Sequence, residues 1–415
     1  MKTKLPIAMM LMALAAIPVT TGSSCEQTTN GVGNMVPTGN DNTGDDNQND
    51  NNDDNQNDNQ PGDNQVADPN DTDPPSNTWT KLTQPCGGTK TNAMWFDDRD
   101  NGFIGCGENA SGTGLFVTTD GGVTWNEELL FQQIRVNDVT RTADGTLYAT
   151  GTDTSGGPEA FMIDESGANR QPIGIYSASN SAFTAVGQGE NIAVTSDGQI
   201  FIDSLTGTQA AYRNVGEANF TELNFFITGG VSEQVSRVVA FNNRFWAVGS
   251  VINQPGKVYY PTPGATDAYE MTKLELQPSN QDGELHDIYL WSETSALVCG
   301  FDQSQRFPLI YSLNGDASDI NNWTKINLFD SGINYQGGAW KMSVIGDVVV
   351  MVGQTFPNNH GFVVFSADRG LTWTDISPID ENGDFVANLM TNVWFFADGT
   401  ILAAAESGEM WRFNP

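Results

Sequence analysis

One eight-residue turn is written twice in this 415-residue chain. Thr118 to Trp125 reads Thr-Thr-Asp-Gly-Gly-Val-Thr-Trp, and Ser366 to Trp373 reads Ser-Ala-Asp-Arg-Gly-Leu-Thr-Trp, so both fit Ser/Thr-x-Asp-x-Gly-x-Thr-Trp. An apolar run precedes each copy, Leu115-Phe116-Val117 in one and Phe362-Val363-Val364-Phe365 in the other. The pattern predicts strand, tight turn, strand. Asp120 and Asp368 are expected to accept backbone N–H groups about two residues on, and Gly122 and Gly370 to supply the positive φ of a tight hairpin. Trp125 and Trp373, set up by Thr124 and Thr372, begin the returning strand with a large apolar surface to bury.

Upstream of the first turn, Ala93-Met94-Trp95-Phe96 and Phe103-Ile104-Gly105-Cys106-Gly107 flank an Asp/Asn/Gly turn, a second hairpin signal. One repeat therefore reads as four antiparallel strands. The phrase recurs every 44 to 54 residues or so, the range of propeller blades. Copies begin near Ala93, Val136, Phe183, Val238, His286, Ala339 and Asn392. In the third, Gly187-Gln188-Gly189 is read as a turn and Ile192-Ala193-Val194 as the strand after it, with Ser196-Asp197-Gly198 following later. The seventh stops at Phe413 after three strands, which would leave an open sheet edge. Trp79-Thr80-Lys81-Leu82 resembles the outer strands Trp125-Asn126-Glu127, Trp323-Thr324-Lys325 and Trp373-Thr374-Asp375, and is expected to fill that place. The fold predicted is an all-β, seven-bladed propeller of four-stranded blades, closed by an N-terminal strand in the last blade. Six or eight blades are the alternatives, decided by copies three and four, where the turn has decayed.

On these residues the chain resembles the Asp-box (BNR) repeat of sialidase-like β-propellers, sortilin-type receptors and photosystem II assembly-factor propellers. The resemblance spans nearly all of residues 78–415 and implies that the Asp-box turns lie on the outer rim, away from the central channel.

The N-terminal portion reads differently. Residues 1–24 carry Lys2 and Lys4, an apolar stretch and then Thr21-Gly22-Ser23-Ser24 before Cys25, a secretory signal pattern too short for a membrane span. Gly-Ser-Ser-Cys resembles a bacterial lipobox, with Cys25 lipidated as the first mature residue; the alternative is cleavage near Ser24 with an ordinary thiol. Residues 25–77 are an Asn/Asp/Gln tract with 12 acidic residues and no Lys or Arg, a disordered, self-repelling tether. By resemblance, Glu26 after the cysteine points to the outer membrane or cell surface. The remaining 78–415 hold 39 acidic and 16 basic residues, a formal charge near −23 that opposes nucleic acid and anionic lipid. The domain is read as a monomer. Of its cysteines, Cys86 and Cys106 are one pairing; all three, with Cys299, remaining free is the other.

Chemistry is sparse. A sialidase would by resemblance need three arginines around a carboxylate, a Tyr–Glu pair and an Arg-Ile-Pro-type motif, but the nearest string is Arg135-Val136-Asn137 and the chain has ten Arg in all. His286 and His360 are the only histidines, too few for a multi-histidine metal site, so no metal or cofactor is assigned. Asp380-Glu381-Asn382-Gly383-Asp384 begins like a calcium loop but lacks its later ligands, leaving calcium as a minor expectation. What remains is a binding face around the channel, with candidates Arg135, Arg237, His286, Arg306, Tyr335, Trp340 and His360, beside Phe225, Phe226 and Phe356. The reading is an extracytoplasmic lipoprotein whose propeller binds protein or glycan; the alternative is a glycan-active, sialidase-like glycoside hydrolase.

Overall fold

Strands covered on both faces by neighbouring sheets need no polar side, and the sequence obeys this. Thr91–Phe96, Gly361–Ser366, Met390–Phe395 and Ile401–Ala405 are buried at every residue, whereas the rim strands Asn126–Glu127 and Thr374–Asp375 are exposed at both. That is why inner strands appear as unbroken apolar runs and not as alternations. The computed structural model describes residues 79–108, 111–128, 131, 134–142, 145–152, 158–163, 170–175, 189–204, 210–217, 220–223, 227–228, 231–232, 234–250, 254–380 and 383–415. The signal pattern, Cys25, the acidic tract, Phe183, Gly187, Phe225, Phe226, Glu381 and Asn382 lie outside them.

The described strands form seven four-stranded antiparallel sheets. Their innermost members are Thr91–Phe96, Arg135–Arg141, Gly189–Val194, Gln234–Phe241, Gly283–Ser292, Gly337–Ile345 and Met390–Phe395. Each packs against the next, and Met390–Phe395 packs against Thr91–Phe96, so the sheets close a ring. The hydrophobic core is distributed between blades: Trp95 meets Trp394 at 5.4 Å and Phe96 meets Phe396 at 5.2 Å across the junction of blades seven and one. A two-stranded ribbon, Ile227–Thr228 with Val231–Ser232, sits between blades three and four and was not expected. Blade three also corrects the sequence reading. Gly189–Val194 is its innermost strand, and its first hairpin turn is Ser196-Asp197-Gly198, where Thr195 and Asp197 bond side chain to side chain at 2.5 Å; the earlier Gly-rich triplet mimicked that turn by composition.

Closure is made by the strand Trp79–Leu82. It pairs antiparallel with Met410–Phe413, Trp79 opposite Phe413 and Lys81 opposite Trp411. The Trp79 indole donates to Ile376 O at 2.6 Å and meets the Phe413 ring edge-on at 5.3 Å; Lys81 pairs with Glu409 and lies over Trp411. Directly after this strand Cys86 is disulfide-bonded to Cys106 of blade one, Cα to Cα 5.3 Å, so the seam carries a covalent tie. Cys299 is a buried thiol.

The repeated turn shows how its residues cooperate. In both copies the leading hydroxyl donates to the aspartate (Thr118 to Asp120, 2.9 Å; Ser366 to Asp368, 2.8 Å) and accepts from the glycine N–H (Gly122, 2.9 Å; Gly370, 2.8 Å). The aspartate accepts both the N–H and the hydroxyl of Thr124 or Thr372, four residues on, not the N–H two residues on that the sequence suggested. Gly122 and Gly370 each sit at φ 83°. Trp373 is buried; Trp125 donates to Gly122 O at 3.1 Å and packs at the edge of the core. These turns lie at the opposite end of each blade from the start of its innermost strand.

Three outcomes are expected. Deleting Trp79–Leu82 exposes the edge of Met410–Phe413 and lowers the melting temperature sharply, measured by calorimetry. Reduction of Cys86–Cys106, which closes a 20-residue separation, costs about 3 kcal/mol in a denaturant titration. Burial acts to raise the Asp368 carboxyl, but the Thr372 hydroxyl and N–H and the Ser366 hydroxyl outweigh it and hold it below its ordinary range. The unfolded chain therefore takes up that proton first, and the contribution is complete above an unfolded-state pKa of about 3.9 and lost as pH falls through the folded value. Asp368→Asn should flatten the acid limb of the stability curve.

Candidate functional site

The innermost strands all run down the channel in the same direction, beginning at the end where the blade-to-blade connections and the loops between second and third strands lie. Near that end every one of them breaks register: between Thr91 and Ala93, Val136 and Asp138, Gly189 and Ile192, Val235 and Arg237, Leu285 and Asp287, Ala339 and Lys341, Met390 and Asn392. Such a bulge kinks the strand and re-aims the residue after it. Opposite the residue before the break, the second strand commonly supplies glycine, because the kinked backbone comes too near for a side chain. A Cβ at Gly300 would stand 1.9 Å from Glu284 O, and one at Gly353 2.2 Å from Gly338 O. Blade one places Cys106 there, the half of the disulfide.

The breaks present a ring of buried polar residues: Asp138, Asn191, Arg237, Asp287, Lys341 and Asn392. Asp138 Oδ2 accepts from Ile192 N of blade three at 2.9 Å and from Arg237 Nη1 of blade four at 3.0 Å, while Oδ1 accepts from Val139 N at 3.0 Å. Asp287 repeats the device, accepting from Met342 N of the next blade at 2.8 Å. Asn392 Nδ2 donates to Thr91 O at 2.8 Å and Asn92 Nδ2 to Val136 O at 3.1 Å, continuing the lashing through blades seven, one and two. Burial pushes the Asp138 carboxyl above its ordinary range against the pull of Arg237, the Ile192 N–H and Lys341 from across the channel. Two carboxylates and two cations share this layer, so its charges are spent on each other and on backbone.

The candidate residues fall into separate groups. Arg135 and Arg237 are buried beside the channel, Arg237 on Asp138. His286 and Trp340 form one unit at the junction of blades five and six, rings parallel within 2° at 4.2 Å. His286 Nδ1 lies 2.9 Å from Ala339 O and Nε2 3.1 Å from Glu284, whose other carboxylate oxygen takes the Gln303 amide. Burial would raise the Glu284 carboxyl, but His286 and Gln303 hold it below its ordinary range. Tyr335 and His360 both approach Phe385, at 5.5 and 6.1 Å, and the Tyr335 hydroxyl is bound to Asp375 of the rim strand, not turned to the channel. Arg306 is exposed on the loop between the second and third strands of blade five, and Phe356 packs on Phe301 at 5.4 Å. Asp138, Asp287, Lys341, Glu284 and Asn392 were not singled out from sequence; aligning the copies on the first strand would have shown a polar residue recurring at one register.

Tyr260, Tyr289, Tyr311 and Tyr335 are all raised by burial, Tyr311 to about 12, and Tyr269 is raised first by its hydrogen bond with Tyr212, the direction opposite to an activated nucleophile. Among the described residues no group of three or more His, Cys, Asp or Glu converges as a metal site. Asp380 N and Asp384 O close a turn at 2.8 Å, and the Asp380 carboxylate receives Asp384 N at 2.9 Å, so in this acidic loop it caps backbone. Asp138→Ala should cost about 3 to 5 kcal/mol in urea unfolding by leaving Arg237 buried without its carboxylate, and Asp138→Asn with Arg237→Met, which keeps an oxygen for the Ile192 N–H, should recover most of it.

No family model matches the chain, and no curated protein is similar to it. Solved structures are. Virginiamycin B lyase from Staphylococcus aureus superposes with a TM-score of 0.55 at 11% identity, over 81% of this chain and 98% of that one. The extracellular domain of the putative hybrid two component system BT4673 from B. thetaiotaomicron gives 0.55 at 10% identity, over 81% of this chain and 40% of that one. The WD40 propeller domain of Doa1 gives 0.51 at 11%, over 81% and 95%. At such identities the likeness is one of fold: the chain is an all-β propeller.

Proposed function

We propose that this protein is a non-catalytic recognition module, held outside the cytoplasm, that binds protein or glycan across the channel mouth. The observation that carries the reading is how the charged groups nearest the channel are used. Asp138, Arg237 and Asp287 lash blade to blade, and the aromatic and basic residues around them are divided among separate patches. Dispersed contacts suit an extended partner surface; a hydrolase needs its acid and base converged on one bond. Export rests on the signal pattern before Cys25, and lipidation of Cys25 would tie the domain to the outer membrane or cell surface through the 25–77 tract. No nucleic acid, cofactor or second copy of the chain belongs to this reading.

The test has two arms. Incubation with sialosides and a panel of aryl glycosides is expected to give no turnover, while a glycan array or cross-linking in the native envelope recovers a retained ligand; turnover on any glycoside would replace this reading with the hydrolase. Cys25→Ser should move the protein from the membrane to the soluble extracytoplasmic fraction. An unchanged distribution would remove the lipid anchor.

A further inference from the structure

Two arginines sit in the left-handed backbone region, at φ 65° for Arg306 and 60° for Arg369. The other described non-glycine residues there are Asn242, Asn243 and Asn359, a side chain that tolerates the conformation. Arg369 has a local reason: its Nε lies 2.6 Å from Asp347 and its guanidinium covers Trp291 at 5.3 Å. Arg306 has none. Its side chain is exposed and makes no ion pair or hydrogen bond among the described residues, although the loop is fixed beneath it by Gln305 N to Asp302 Oδ1 at 2.9 Å and Gly337 N to Arg306 O at 2.9 Å. A left-handed backbone position carrying a long cation without a side-chain partner among the described residues points outward.

Beside it is a cleft of about 140 Å³, walled by Phe307, Pro308, Phe329, Ile333 and Tyr335 and rimmed by Gln305, Lys325 and Asn327. Phe329 is 44% exposed and meets Phe307 edge-on at 4.8 Å. Lys325 is held by Asp302 at 3.1 Å and Tyr335 by Asp375, which leaves Arg306 as the cation available to a ligand. A drug-sized or oligosaccharide ligand needs roughly 300 Å³ or more. This cleft has room for one ring, and its wall is mostly apolar, which favours an aromatic side chain over a sugar with its circle of hydroxyls. The domain's net charge near −23 repels a polyacidic partner, so the geometry admits a single carboxylate placed to meet Arg306.

We propose that the cleft takes one aromatic side chain of a peptide partner, with an adjacent acidic residue paired to Arg306. The proposal rests on the recognition-module reading and names the partner class for one of its patches. The probe is a dye-labelled Ser-Gly-Phe-Glu-Gly-Ser peptide, with Phe-Gln and Ala-Glu versions and phenyl glucuronide as comparisons, titrated by fluorescence anisotropy or competition against the intact protein. The Phe-Glu peptide is expected to bind with Kd below about 1 mM. Arg306→Gly should weaken it about tenfold and remove the loss of affinity on adding salt while leaving the Phe-Gln peptide unchanged, and Phe329→Ala should weaken both. Arg306→Gly should melt at or above the wild-type temperature, since glycine accepts this φ without strain. Equal binding by wild type and Arg306→Gly, equal binding of the Ala-Glu peptide, tighter binding of phenyl glucuronide at the same residues, or no binding at all would each overturn the assignment. Loss of this site with an envelope ligand still retained would leave the recognition module standing, whereas glycoside turnover would remove that module whatever the peptide does.

Discussion

A ring of sheets is stable only if every inner strand is covered on both faces, and that cover fails anywhere the ring is open. The antiparallel pairing of Trp79–Leu82 with Met410–Phe413 meets this constraint by bringing together residues more than three hundred positions apart. Most else follows from it. Trp95 and Phe96 can be fully apolar because Trp394 and Phe396 face them across the seam, and the Cys86–Cys106 bond sits where the first connection leaves that seam.

Closure also creates a problem at the axis, where seven kinked strands converge and their backbone groups must be satisfied without solvent. The fold answers with side chains from one blade that serve the backbone of the next: Asp138 for Ile192, Asp287 for Met342, Asn392 for Thr91. A buried carboxylate costs free energy unless hydrogen-bonded and paired, and each of these is hydrogen-bonded to backbone. The polar layer is thereby committed to architecture.

Much of the fold was legible because hairpins leave local marks. Asn242-Asn243, Asp197-Gly198 and the two Ser/Thr-x-Asp-x-Gly-x-Thr-Trp turns each announce a reversal within a few residues, and the likeness of Trp79 to Trp125 and Trp373 revealed the missing strand. Where two Gly-rich turns lay close together, at 187–189 and 196–198, composition could not say which was the hairpin, and blade three was shifted by one strand. The bulges were marked only across copies, by polar residues such as Asn92, Asn137 and His286 at the breaks, and no single copy announces its own. Partners across blades were illegible for the same reason: nothing near Asp138 in sequence announces Arg237, 99 positions on. How the candidate residues group depended on side-chain directions, such as that of Tyr335 towards Asp375, that no periodicity encodes.

The position of the closing strand has a mechanical consequence. Any pull transmitted from the N-terminal 78 residues enters the fold at Trp79, the first residue of the outermost strand of the last blade. Tension there loads the ladder from Trp79–Phe413 towards Leu82–Met410, and should that strand peel away, the detached length ends at Cys86, which remains bonded to Cys106. The sulfur bridge thus acts as a stop, confining damage under load to one strand and its short connection.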